Sequence, residues 1–342
     1  MEDFLFQEAG SALINWFAEN ARDLPWRRTN DPYKIWISEI ILQQTRVAQG
    51  LDYYLRFLEK FPDVYALANA DEQSVLKAWE GLGYYARARN LHYSAKIIVF
   101  ERNGAFPANA EAWEQMKGVG PYTARAISAF AFGEKKGVLD GNVFRILSRL
   151  TNDESPIDWI QTQKKFQRLM DEWVLNFESA QFNQATMELG ATICLPVQAR
   201  CEKCPIAQYC LAFKHDRIAF LPQKSKKLER KTKYYQYFIV NENGKLLIGK
   251  RPAKGVWGGL YELPGMELTQ EEWRKKIQSI PEPYFFKHVF THFDLHIVVN
   301  QEPFLHLKDE FQFVDCVNLG EYPFPKAIKK VLEKFGILKN EP

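Results

Sequence analysis

Four of the chain's five cysteines, Cys194, Cys201, Cys204 and Cys210, fall in one short stretch, CLPVQARCEKCPIAQYC. Thiols at this C-x6-C-x2-C-x5-C spacing can close round one compact centre, which forces the segment to fold back on itself. The N-terminus, MEDFLFQEAGSALINWFAEN, starts acidic, shows helical apolar spacing and does not read as a signal peptide. No apolar run reaches the roughly 20 residues of a membrane span. A cytoplasmic protein is expected, where disulfides are rare and clustered cysteines bind metal. Tetrahedral zinc and an iron–sulfur cluster both take four thiolates, and spacing leaves both open. A structural metal, pinning a loop too polar to fold alone, is favoured over electron transfer. Arg200 and Lys203 add positive charge to the same loop, useful against phosphate.

With 342 residues the chain is long enough for two domains. Its net charge is only +3, so any basic binding surface must be local. Residues 1–215 read as an all-α domain. Apolar residues recur at three- and four-residue steps in Ala12–Phe17, Ile35–Leu42, Val75–Trp79 and Ile127–Phe132, with breaks at Asp31-Pro32, Phe61-Pro62, Gly104–Pro107, Gly118–Pro121 and Asp140–Asn142. Residues 216–233 read as a basic linker ending in KSKKLERKTK, a solvated spacer or a stripe that touches phosphates. From 234 to 342 a smaller α+β domain is expected. YYQYFIV and KLLIG flank the turn NENG, HVF and LHIVV form a second pair, and helices cover Gln270–Ile277 and Lys326–Phe335.

The stretch MKGVGPYTARAISAFAFG places Gly118 and Gly120 in a tight turn before a helix opened by Pro121. The N–H groups of such a turn form an anion site that a DNA phosphate fits. An ordinary helical turn is the plainer reading. Beyond it, LDGNVFR offers Asp140 and Asn142, either of which could be a simple N-cap. Asp140 is also placed to face positive charge on a deoxyribose, and at a helix start it should stay ionised. Glu39, in IWISEIILQQT, sits among Trp36, Ile37, Ile40, Ile41 and Leu42. If buried, its pKa rises, which suits a general acid. Two carboxyls tuned apart are the pattern for cleaving a glycosidic bond, here N-glycosidic.

Leu24-Pro25-Trp26, SEIILQQT, GLGYYARARNL, GVGPYTA, LDGNVFR and the cysteine loop occur in that order. Together they resemble the helix–hairpin–helix DNA glycosylases, most closely the adenine DNA glycosylases of the MutY type. The resemblance spans the chain and its ordered motif set is specific. It implies one 4Fe-4S cluster on Cys194, Cys201, Cys204 and Cys210. It makes Glu39 the acid that protonates adenine, Asp140 the stabiliser of the cationic intermediate and Asn142 an orienting group. Arg22, Leu24, Trp26 and Gln184 would line the adenine pocket; Gln44 and Tyr84 would push into the base stack, although Tyr84 also reads as a buried aromatic. Relatives that cut the strand, such as endonuclease III, carry a Schiff-base lysine where this chain has Tyr122. A monofunctional glycosylase is therefore expected, with Tyr122 near the sugar. Lys117 precedes the hairpin and is not assigned that nucleophile's role.

GVWGGLYELPG, residues 255–265, resembles the start of a Nudix fold. The following MELTQEEWRKKIQSI lacks the REXXEE metal helix, so neither nucleotide hydrolysis nor magnesium is expected. VFTHFDLH resembles the family's 8-oxoguanine recognition loop, with Thr291 in place of the usual serine and His292 beside it. The implied partner is double-stranded DNA carrying adenine opposite 8-oxoguanine, bound by a monomer. The rival readings are a glycosylase for oxidised pyrimidines, a non-catalytic DNA-binding protein and a Nudix hydrolase.

Overall fold

Local capping chemistry sets the helix boundaries that matter most. Asp31 caps the helix α2 (Pro32–Leu42), its side chain accepting from the Tyr33 N–H at 2.9 Å, with Pro32 in the first turn. Gly120 precedes α8 (Pro121–Phe132), and Gly133, at φ 69°, ends it in the left-handed region that glycine adopts without cost. The computed structural model describes residues 2–225, 230–280, 283–290, 293–301 and 311–338.

The chain divides into two compact units, Met1–Ala68 with Tyr93–Lys227, and Asn69–His92 with Leu228–Pro342. The first is helical. Besides α2 and α8 it holds α1 (Glu2–Asn20), α3 (Val47–Lys60), α7 (Ala110–Glu114), α9 (Gly141–Leu150), α10 (Ile160–Val174), α11 (Ser179–Thr192) and α12 (Leu211–Lys214). Val143, Ile146, Leu147 and Leu150 recur on one face of α9 and join Phe166, Met170, Trp173 and Phe182 in a core beneath α1, α10 and α11. α2 is buried almost all round, from Tyr33 to Ile41, and packs against α8.

The helices α4 (Val64–Asn69) and α6 (Ala86–Lys96) straddle the divisions, and α5 (Glu72–Ala78) lies wholly in the second unit. The reading of 1–215 as one uninterrupted domain thus differs from the architecture, because residues 69–92 pack with the C-terminal part. The strand β1 (Lys231–Phe238) starts inside the stretch read as linker, since Lys231 to Lys233 continue its parallel register against Phe293 to Leu295. Ile218–Phe220, also in that stretch, forms a 3-10 turn.

One sheet has the order β5 (Gly265–Leu268), β1, β7 (Phe293–Asn300), β6 (Tyr284–Val289), with β1 and β7 parallel and the outer pairs antiparallel. The other joins β2 (Asn241–Glu242), β3 (Lys245–Lys250) and β4 (Tyr261–Glu262), with β8 (Phe311–Asp315) also on β3. The predicted hairpin at NENG exists only as the short β2–β3 pair, its turn made by Asn243 at φ 51° and Gly244 at φ 76°. YYQYF itself pairs with β5 and β7, as its buried end, Gln236 to Phe238, requires of an inner strand. The HVF and LHIVV segments pair as expected, His288 opposite Leu295. The helices α13 (Gln270–Ser279) and α14 (Lys326–Lys334) complete this unit; α14 supplies Ile328, Val331 and Leu332 to its core. Among the described residues no helix is long and apolar enough to cross a membrane.

Candidate active site

The first unit carries a cleft of about 630 Å³. Into it converge Arg22, Leu24, Trp26, Glu39, Gln44, Gly120, Tyr122, Asp140, Asn142 and Gln184. These positions are scattered over the sequence; α2, the start of α8, the start of α9 and α11 bring them together.

Glu39 is only 6% exposed. Burial raises its pKa from 4.5 to about 7; the nearby Asp140 charge adds to the rise and a hydrogen bond from the Tyr122 hydroxyl opposes it. The Tyr122 phenol is itself pushed well up, by burial first and then by the charges of Glu39 and Asp140, so it remains a proton donor. Asp140 caps α9 by accepting the Asn142 and Val143 N–H groups, each at 2.8 Å, while Asn142 Nδ2 donates to its second oxygen at 2.7 Å. Asp140 was expected to stay ionised; burial raises its pKa from the ordinary value, outweighing the opposing hydrogen bonds from Val143 and Asn142. All three contacts are donors, the arrangement that a carboxylate takes.

Asn142 is held in turn. Arg145 Nη2 donates to Asn142 Oδ1 and to the Gly190 carbonyl, both at 2.8 Å, and Arg145 Nε reaches the Cys194 carbonyl at 2.7 Å. α11 approaches so closely here that a Cβ on Gly190 would lie 2.5 Å from Asn142 Cβ. At the other wall, Glu188 has a fully buried side chain. It accepts Arg22 Nε at 2.6 Å, Arg22 Nη2 at 2.7 Å and Arg27 Nη2 at 2.7 Å. Burial pushes the Glu188 carboxyl up, but these two arginines outweigh it and its pKa ends below the ordinary value. Trp26 packs edge-on to Tyr54 with ring centres 5.2 Å apart. Glu188, Arg27, Arg145 and Gly190 were not singled out from the sequence. The available signal was Glu188 one helical turn after Gln184, a charge within the otherwise uncharged stretch AQFNQATMELGAT.

Gly118, at φ 84°, makes the hairpin turn. Around Gly120 the space a Cβ would occupy is open, so a backbone partner can approach. Tyr84 belongs to the second unit, is 47% exposed and has φ 47°. Thr291 and His292 lie outside the described residues. The four cysteines line one small pocket with Ile193, Phe213 and Ile218. Arg149, itself buried, donates to Cys194 Sγ at 3.3 Å and to the Leu195 carbonyl at 2.8 Å. Among the described residues no three His, Cys, Asp or Glu side chains form a group able to hold a single ion.

Residues 37–174 match the model of the HhH-GPD superfamily base excision DNA repair proteins, and residues 236–334 match that of the NUDIX domain. The chain is 32% identical to an adenine DNA glycosylase of Buchnera aphidicola from Schizaphis graminum, covering 94% of this chain and 97% of that one. The chain belongs to the adenine DNA glycosylase family. The human adenine DNA glycosylase is 40% identical over 59% of this chain and 38% of its own length. Among solved structures, a thermostable thymine-DNA glycosylase is similar at 27% identity and a TM-score of 0.58, over 63% of this chain and 99% of that one.

An adenine DNA glycosylase is a repair hydrolase that acts on DNA, and the cleft meets that need. It places an acid whose pKa is raised to about 7, so that a large share is protonated at neutrality, beside a second carboxyl whose contacts are all donors. The Nudix-like second unit carries α13, QEEWRKKIQS, where a Nudix hydrolase would have its glutamate-rich metal helix.

Proposed function

We propose that this glycosylase removes adenine paired with 8-oxoguanine, or with guanine, from duplex DNA by hydrolysing the N-glycosidic bond without cutting the strand. The observation that carries the reading is the pairing of Glu39, its pKa about 7, with Asp140 and Tyr122 in one cleft. A stacked adenine cannot reach such a cleft, so the nucleotide must be turned out of the helix. Glu39 then donates its proton to a ring nitrogen of adenine, and the base departs with the bonding electrons. The deoxyribose left behind is an oxocarbenium-like cation, which the Asp140 carboxylate faces. Asn142 and the two backbone donors hold that carboxylate in place. Glu39, now ionised, can accept a proton from the water that adds to the sugar, restoring the starting state. Tyr122, protonated and without an amine, offers no Schiff base, which favours a monofunctional enzyme.

The same reading assigns one 4Fe-4S cluster to Cys194, Cys201, Cys204 and Cys210. A single zinc needs all four sulfurs about 2.3 Å from one point, whereas a four-iron cluster takes one thiolate per iron and spreads them out. All four cysteines line one pocket, as a shared centre requires, and the choice of a cluster over zinc rests on the family resemblance. The four cysteines would hold the cluster and so pin their loop, with Cys194 steadied by Arg149 donating to its sulfur and Arg145 donating to its carbonyl. The second unit would read the 8-oxoguanine.

The test is a single-turnover assay on a duplex with adenine opposite 8-oxoguanine, each time point split and half treated with alkali. Breaks that need alkali support the reading. Breaks without alkali overturn the monofunctional mechanism, and no breaks in either half overturn catalysis.

A further inference from the structure

The turn that presents Tyr84 is built into the second unit, and the joint has a keystone. Gly81, Gly83 and Tyr84 all have positive φ, at 96°, 72° and 47°; the glycines adopt it freely, but for Tyr84 it is a strained conformation that persists only when its surroundings hold it. Trp79 Nε1 donates to the Gly83 carbonyl at 3.2 Å, and Arg87 Nη2 donates to the Leu82 and Gly83 carbonyls, each at 3.3 Å. Both ends of the turn then meet one buried residue, Phe324. Its N–H donates to Glu80 Oε1 at 3.0 Å, while its carbonyl accepts the Tyr85 hydroxyl at 3.5 Å. That hydroxyl in turn accepts the Gly81 N–H at 3.2 Å.

Glu80 is the centre of this joint. Its side chain is only 12% exposed and meets Lys77 Nζ at 2.8 Å and Lys329 Nζ, on α14, at 3.6 Å. Arg89 donates to the Gly258 carbonyl, and Gln73 Nε2 to the Glu321 carbonyl at 3.3 Å. The tied elements share a cavity of about 580 Å³, lined by Tyr84 together with Trp257, His288, Phe290 and Lys326. Residues 69–92 and the C-terminal sheet therefore form one body with an aromatic-walled pocket wide enough for a heterocyclic base.

We propose that Glu80 is a positioning residue for lesion preference: it locks the Tyr84 turn to the Nudix-like unit, so that the groups reading the lesion and the aromatic entering the stack engage together. The proposal rests on the lesion reading given above. It is tested with Glu80→Ala, Glu80→Gln and Lys329→Met, measuring single-turnover rates on duplexes with adenine opposite 8-oxoguanine and opposite guanine. Glu80→Ala should lower the ratio of the two rates about tenfold, a typical coupling between linked sites, with the guanine-duplex rate unchanged. Glu80→Gln retains the acceptor for Phe324 N–H and should keep part of the preference. Lys329→Met, which removes only one charge from the joint, should lower the ratio less than Glu80→Ala and guards against misfolding of the latter. Combining Glu80→Ala with Tyr84→Ala should cost no more preference than Tyr84→Ala alone. An unchanged ratio in all three single variants, equal losses on both duplexes, or additive losses in the double variant each overturn the proposal. A wild-type protein with no preference between the duplexes refutes the lesion reading itself.

Discussion

Glu39 makes the chemistry and the stability of this fold oppose each other. The acid must be buried to be protonated near neutrality, and the same burial is unfavourable once it ionises. A rise from 4.5 to about 7 corresponds to about 3 kcal/mol between the protonation states. The sign follows from proton binding. Between pH 4.5 and about 7 the folded state holds the proton that the unfolded state releases, so stability falls as pH rises through that window. Above it the full penalty is present. Glu39→Gln removes the ionisable group while keeping the shape, so it should abolish base removal and yet be more stable than wild type at pH 8. The gain is up to about 3 kcal/mol, which for a unit of this size raises the melting temperature by roughly 5 to 10 °C. At pH 5 about a quarter of that penalty remains, so the melting difference should shrink to roughly 1 to 3 °C. Calorimetry of both proteins at the two pH values reads this directly. In parallel, wild-type single-turnover rates should fall about tenfold per pH unit above 7, as the protonated fraction does. Equal melting differences at pH 5 and pH 8, or a rate flat from pH 6 to 9, would refute the assignment of a raised pKa to Glu39.

Asp140→Asn keeps the cap geometry but removes the charge facing the sugar; single-turnover base removal should drop by about 10² to 10³, with duplex affinity retained in a gel-shift titration. Gly190→Ala forces a methyl group against Asn142, 2.5 Å from its Cβ, and should destabilise the first unit by about 1 to 3 kcal/mol in urea unfolding while slowing base removal. Cys201→Ser should abolish iron incorporation and the visible absorbance of the purified protein, and a protease should then cleave within 194–210; full iron content would remove Cys201 from the ligand set.

Much of this was legible in the sequence, for identifiable reasons. The helical unit announces itself because α2 and α8 carry apolar spacing between proline and glycine signals that read locally. Glu39 stood out as a carboxyl set among Trp36, Ile37, Ile40 and Ile41, but its burial is shown only by the packing of α2. Glu188 did not, since its meaning lies in Arg22 and Arg27, more than 160 positions away in the chain. Gly190 was invisible for the same reason, because only the packing of α11 on α9 gives its missing side chain a purpose. The upward push on the Asp140 pKa was not legible, because a helix start is a local feature and burial is not. The strand β1 was begun too late, as lysine-rich residues read as linker until a parallel partner 60 residues on supplies their hydrogen bonds.

The placement of residues 69–92 has a consequence for how the protein comes into being. This segment leaves the ribosome more than 130 residues ahead of the sheet and helix it packs against, which begin only beyond Leu228. The nascent chain therefore carries this segment, Trp79 and Tyr85 included, before its C-terminal partners exist, until synthesis is nearly over.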